Sequence, residues 1–263
     1  MIAYEVFAIR YATLERRTND NFVLRDLHDG PMPLDYFVWL IRGHGRTILV
    51  DTGFDEPAAQ ARGRNLLIHP TAALRAFGVE PDAIQDVILT HLHYDHAGNL
   101  GRFPNAVFHL QDAEMAYATG RCMCHGLLRH PYDVEDIVGM VRRVYDGRAR
   151  FHDGDAVLTE GISVHLAPGH TRGLQAVRVA TARGLVVLAS DASHFYANLE
   201  RGNPFPVVVD IGQGLESHRR LLQLADSPEH IVPGHDPEVT RRYRRVEIEG
   251  VEAFALHEPP LGG

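Results

Sequence analysis

Thr90-His91-Leu92-His93-Tyr94-Asp95-His96, running on into Ala97-Gly98-Asn99-Leu100, places four potential metal ligands within six positions. The residues before it, Val87-Ile88-Leu89-Thr90, form a short aliphatic, β-branched run. That run predicts a buried strand delivering the ligands onto a loop. Three imidazoles and a carboxylate this close are satisfied together by a shared cation. Residues i and i+2 of an extended strand share a face, so His91 and His93 can approach one cation. Asp95 and His96, where the loop bends, can approach a second.

Three more strand ends carry the same residue types. Ile162 to Leu166 runs into Ala167-Pro168-Gly169-His170-Thr171, Leu185 to Ala189 into Ser190-Asp191-Ala192-Ser193-His194, and His230-Ile231-Val232 into Pro233-Gly234-His235-Asp236. Ligands far apart in sequence converge when each sits at a strand end on one edge of a layered fold. Asp191 is the candidate bridge, since an anionic oxygen donor is needed between two positive centres. Tyr36 to Arg42 and Arg46 to Val50, parted by Gly43-His44-Gly45, predict a hairpin that ends at Asp51-Thr52-Gly53. Asp51 is a candidate for orienting a ligand histidine. Helices are expected at 70–77, stopped by Gly78, at 111–119 and at about 215–224, with a short helix or loop at 56–63. The region 120–150, with an amphipathic stretch near 134–145, reads as an inserted helical segment beside the pocket. This alternation suits a layered α/β fold better than a helical bundle.

The chain has 263 residues, 45% of them apolar, a formal charge of -8 and 17 histidines. A core of good size follows, and a nucleic-acid partner is disfavoured by the charge. Cys122 and Cys124 are too few for a disulfide framework and read as reduced thiols rather than a zinc site with His125. No run of about 18 apolar residues suggests a membrane helix, and the N-terminus lacks a signal-peptide pattern, so a cytoplasmic location is the expectation. Phe22, Met123 and Phe195 are candidates for apolar contact with a substrate. The loop at 12–34 is placed to cover a pocket, and Pro259 to Gly263 reads as a flexible tail. Homodimerisation stays open.

The stretch from Thr90 to Asn99 resembles the HxHxDH signature of the metallo-β-lactamase superfamily. Pro168-Gly169-His170-Thr171, Ser190-Asp191-Ala192 and Pro233-Gly234-His235-Asp236 resemble its remaining metal motifs. The resemblance covers most of the chain. It implies a single metallo-hydrolase domain over 1–263, an αββα sandwich with a helical pocket insertion at about 111–150. It implies two divalent ions, with zinc expected. His91, His93 and His170 resemble the ligands of one, Asp95, His96 and His235 those of the other, with Asp191 bridging and Asp51 a buried support. Asp51-Thr52-Gly53, Ala97-Gly98-Asn99 and Phe103-Pro104-Asn105-Ala106 resemble the quorum-quenching N-acyl homoserine lactonases and the related pyridoxolactonases.

The expected activity is opening of an N-acyl homoserine lactone or related small lactone by attack of a metal-bound hydroxide. Asp95, Asp191 and His194 are the catalytic candidates. Where those lactonases commonly carry a tyrosine three residues beyond the bridging aspartate, this chain has His194, with Tyr196 two residues on; both are substrate-contact candidates. The alternatives are a thioester or phosphodiester hydrolase and a non-catalytic, metal-stabilised binding protein.

Overall fold

The strand Leu34–Gly43 decides the layering, because it is buried along nearly its whole length. Phe37, Trp39 and Ile41 point to one face and Val38 and Leu40 to the other, so both faces of its sheet must be covered by something apolar. In the computed structural model, which describes residues 2–262, two sheets and flanking helices supply that cover. Met1 and Gly263, at the ends of the expected opening strand and tail, lie outside the described residues.

The first sheet contains β1 (Glu5–Leu14), β2 (Leu34–Gly43), β3 (Arg46–Val50), β4 (Asn65–Leu66), β5 (Asp86–Ile88), β6 (Val107–Gln111) and β7 (Ala149–His152). The second contains β8 (Ala156–Thr159), β9 (Ile162–Leu166), β10 (Gln175–Thr181), β11 (Gly184–Ser190) and β12 (Ile231–Pro233). The chain then returns to the first sheet through β13 (Arg245–Ile248) and β14 (Val251–Ala255). The strand orders are β13-β14-β1-β2-β3-β5-β6-β7, with β4 also on β1, and β12-β11-β10-β9-β8.

Trp39, Val50 and Ile88 of the first sheet meet Val164, Val177 and Leu188 of the second in the central core. The outer face of the first sheet packs on helices 70–76 and 134–145 through Leu74 and Met140, among others. The outer face of the second packs on helix Ile211–Leu224 through Leu221 and Leu224. The layers are therefore helix, sheet, sheet, helix, the αββα sandwich expected. Each fully buried large side chain contributes roughly 1.5–3 kcal/mol over an exposed one. Among the described residues, no helix is long and apolar enough to cross a membrane.

Three local expectations are revised. Residues 149–152, of which the expected helical segment 120–150 includes the first two, form β7, which pairs in parallel with β6. Residues 245–255, left without an element, form a hairpin whose second strand pairs with β1, Phe7 opposite Ala255. The tail is tied rather than loose, since the Leu261 N–H donates to the Arg242 carbonyl at 2.6 Å.

Helix Val134–Tyr145 carries a charge in an unfavourable place. Burial, then the carboxylates of Asp133 and Asp55, push the Asp136 carboxyl up to about 8. Its folded value lies above the unfolded one, so the native state holds a proton that the unfolded chain gives up. Stability therefore falls as pH rises from about 4 towards 8. Asp136→Asn is expected to melt roughly a few degrees above the parent at pH 8, with the gap closing towards pH 5. Melting curves across that range check it, and a pH-independent gap would contradict it.

Candidate metal centre

Strands β3, β5, β11 and β12 all end at the same edge of the sandwich, because β3 and β5 pair in parallel and so do β11 and β12. β9 runs with β11, each being antiparallel to β10. The residues after these strands, Asp51, His91 to His96, His170, Asp191 and His235, consequently gather there. Ligand atoms of His91, His93, His170 and Asp191 lie within 4.8 Å of one another, and so do those of Asp95, His96 and His235. Asp191 stands between the groups. Its Oδ2 is 3.1 Å from His170 Nε2, and its Oδ1 is 2.9 Å from His235 Nε2 and 3.3 Å from His96 Nε2.

The outer ring nitrogens of three histidines are fixed by acceptors. His96 Nδ1 donates to Asp51 Oδ2 at 2.7 Å, His170 Nδ1 to the Val207 carbonyl at 2.6 Å and His235 Nδ1 to the Asp35 carbonyl at 2.8 Å. Each Nε2 is thereby aimed at the group, where a cation could take its lone pair in place of a proton. Asp51 also accepts from the Thr90 N–H at 2.7 Å and the Thr90 hydroxyl at 2.8 Å, and that hydroxyl lies 2.8 Å from Ser190 Oγ. This chain crosses from one sheet to the other. Both Asp51 (φ 60°) and Ser190 (φ 48°) adopt left-handed backbone, a strained conformation for such residues that is held here by the surrounding hydrogen bonds.

The donor set fits two divalent ions. His91 Nε2, His96 Nε2 and Asp191 Oδ1 are buried without a hydrogen-bond partner, a costly state that ligation relieves. Burial, reinforced by neighbouring imidazoles, lowers the His91 and His93 pKa values well below normal, so both are neutral and able to ligate. Burial alone would raise Asp191, but the surrounding histidines, His194 and His235 foremost, hold it well below the usual range, so it is ionised. Burial would lower His96, yet Asp191, Asp95 and Asp51 keep it raised. That proton is what a cation would displace.

The model of the metallo-beta-lactamase superfamily matches residues 32–235. The chain belongs to the metallo-β-lactamase superfamily. It is 30% identical over 227 residues to an N-acyl homoserine lactonase of Bacillus thuringiensis, covering 80% of this chain and 85% of that protein. It is 32% identical over 220 residues to the human metallo-beta-lactamase domain-containing protein 1, covering 82% and 68% of the two chains. Among solved structures, a quorum-quenching N-acyl homoserine lactone lactonase superposes with a TM-score of 0.76 at 27% identity, covering 93% of this chain and 97% of the other. The donor set and the family match together support a metal-dependent hydrolase.

Within this metallo-β-lactamase fold, a cavity of about 160 Å³ opens over the clusters. His93, Asp95, His170, Asp191 and His235 line it, as does His194. His194 Nε2 is 3.0 Å from Asp191 Oδ2, its ring stacks on Phe205 at 3.8 Å, and burial pulls its pKa down to about 3. The other expected substrate contacts lie elsewhere. Phe22 is buried beneath the Arg201 guanidinium, and Met123 lines a neighbouring cavity beside Tyr132. Phe195 is fully buried, and Tyr196 is buried under Arg242 at 3.8 Å. Because helix Tyr196–Arg201 begins directly after Phe195, both aromatic rings turn into the core instead of the cavity. Cys122 and Cys124 are free thiols outside the clusters.

Glu114 was not legible beforehand. Its fully buried carboxylate accepts from the Leu92 N–H (3.0 Å), Tyr132 hydroxyl (3.1 Å), Thr171 hydroxyl (2.6 Å) and Gly173 N–H (3.1 Å). It joins the backbone between His91 and His93 to the loop after His170. A Cβ on Gly173 would lie 2.0 Å from the Glu114 nitrogen, so this approach requires glycine. Its only advance sign, an acidic residue in a helix pattern, is indistinguishable from a solvated one.

Proposed function

We propose that the protein opens the ring of a small lactone, an N-acyl homoserine lactone or a related compound, by hydrolysis. The observation that carries this reading is the pair of histidine and carboxylate clusters sharing Asp191 at the floor of a small cavity. Similarity over most of the chain to N-acyl homoserine lactonases supports the choice of substrate class.

His91, His93 and His170 would hold one divalent ion and Asp95, His96 and His235 the second, with Asp191 shared between them; the imidazole-rich donors suit zinc. When bound, such a pair supplies Lewis acidity towards the carbonyl oxygen and lowers the pKa of the attacking water. The chain's own groups do the rest. Asp191 and Asp95 orient the water and accept the proton it gives up. His194, 3.0 Å from Asp191 Oδ2 and itself neutral, relays to the ring oxygen, as the C–O bond breaks, the proton that Asp191 takes from the water. The segment 111–150 acts as a wall of the same domain, contributing His130 and Pro131 to the cavity.

Metal-loaded protein is expected to hydrolyse N-hexanoyl homoserine lactone, pyridoxolactone or γ-butyrolactone, at least one with kcat/KM of roughly 10⁴ M⁻¹s⁻¹ or more. Proton release at fixed pH measures it, with thioesters and phosphodiesters as comparison substrates. Turnover of those with none on any lactone would reassign the reaction. Tight metal binding without turnover of anything would leave a binding protein.

A further inference from the structure

Three guanidinium groups, those of Arg16, Arg62 and Arg64, line the same cavity as the metal clusters. All three are partly buried. Among the described residues none of them forms an ion pair with a carboxylate, whereas Arg10, Arg17 and Arg220 each do. Their hydrogen bonds go to uncharged acceptors. Arg16 Nε donates to Asn21 Oδ1 at 2.7 Å and its Nη2 to the Asp20 carbonyl. Arg62 donates to the carbonyls of His130 (3.0 Å) and Tyr132 (3.1 Å). Arg64 donates from Nε to the Tyr94 hydroxyl (2.8 Å) and from Nη1 to the Arg62 carbonyl (2.6 Å).

These contacts fix the guanidinium planes without neutralising them. Stacking adds to the restraint, with Arg62 3.9 Å from the centre of the Tyr94 ring and Arg16 4.9 Å from that of Phe205. Tyr94 directly precedes Asp95, and Phe205 stacks on His194. The cations therefore stand one aromatic ring away from groups that act on the substrate. The lining holds three arginines against the two carboxylates of Asp95 and Asp191, a formal excess of one positive charge before any metal binds. In a chain whose formal charge is -8, such a local excess runs against the overall balance. Holding three cations together, partly out of water, costs free energy that an anion in their midst returns.

We propose that the substrate is a small lactone bearing a carboxylate, held by Arg16, Arg62 and Arg64 while its ring carbonyl faces the metal clusters. This rests on the lactonase reading and narrows it to the related compounds, since an N-acyl homoserine lactone carries no carboxylate. Water adds to the ring carbonyl, the ring C–O bond breaks, the ring oxygen takes a proton, and the product carries a hydroxyl and a second carboxylate with release of one proton.

The test compares 5-oxotetrahydrofuran-2-carboxylate with its neutral carboxamide on the metal-loaded protein. The carboxylate is expected to be favoured about 100-fold in kcat/KM, mostly through KM, as two or so charge-assisted hydrogen bonds allow. The preference should shrink as salt rises. Arg64→Gln and Arg62→Gln should each bring the two substrates towards parity, and Arg64→Lys should restore part of the difference. Equal turnover of both lactones, or a preference untouched by these substitutions, overturns the inference while leaving the lactonase reading intact. If only the lactones of the preceding test are turned over, the inference falls and the lactonase reading stands; if no lactone is turned over, the lactonase reading fails on its own. The anion clamp is then judged by calorimetric titration with 2-hydroxyglutarate. Binding weakened at least tenfold by Arg64→Gln upholds the clamp, and binding equal in the variant overturns it.

Discussion

The Asp191→Ala protein is expected to retain less than roughly a thousandth of the parent's kcat on any lactone substrate and to lose most of its bound metal. Asp191 is where the two clusters meet, with His170, His194, His235 and His96 all within 3.3 Å of its carboxylate. Removing it takes away a ligand to each proposed ion and the only negative charge common to both. It also leaves buried imidazoles facing one another with only Asp51 and Asp95 to offset the charge on His96 and His235, whose raised pKa values Asp191 contributes most to. Asp191→Asn separates the two effects, since the amide keeps the volume and one oxygen donor but not the charge. It should bind metal better than the alanine variant and still turn over slowly. Metal content after gel filtration, read beside proton release, checks both. An alanine variant with full metal and near-parent activity would remove Asp191 from the centre of the site.

Glu114→Ala is expected to have the largest effect on the fold itself, at least about 3 kcal/mol, since four buried donors lose their acceptor at about 1–3 kcal/mol each before relaxation. For a chain of this length that is a fall of roughly 6–12 °C in melting temperature. Glu114→Gln should fall between. Its amide oxygen can serve one backbone N–H, Leu92 or Gly173, but its NH₂ then faces the other. Burial raises the Glu114 pKa while its four donors pull the other way. Metal affinity should weaken alongside stability in both variants, because Leu92 lies between His91 and His93. Melting curves and metal titrations of the three proteins test this. An alanine variant as stable as the parent would mean that water or a side-chain shift replaces the carboxylate.

How much of this was legible beforehand depended on how local each signal was. The strand-end histidines and aspartates could be read because each follows a short apolar run, and β-strand geometry then carries them to one edge. Asp51 was legible for the same reason. Glu114, Arg16, Arg62, Arg64 and Phe205 were not, because nothing near them in sequence marks where their side chains converge. The Arg62-Gly63-Arg64 turn is local, with Gly63 closing its helix in left-handed backbone, but its position over Tyr94 is tertiary. The opposite failure befell Phe195 and Tyr196. Proximity in sequence to Asp191 suggested contact with a substrate, and one turn of helix directed both into the core. The hairpin 245–255 did carry a period-two pattern around Gly250, whereas β7 is an exposed edge strand whose pairing with β6 supplies most of its definition.

The metal ligands come from separate segments hung on two different sheets, and no unfolded chain can present them together. Any ion that binds them adds its binding free energy to the stability of the whole sandwich. By mass action, free metal at one hundred times its dissociation constant adds about 2.7 kcal/mol. A cell short of metal would therefore hold a larger unfolded fraction of this protein, open to proteolysis, and its abundance would follow metal supply even where its synthesis did not.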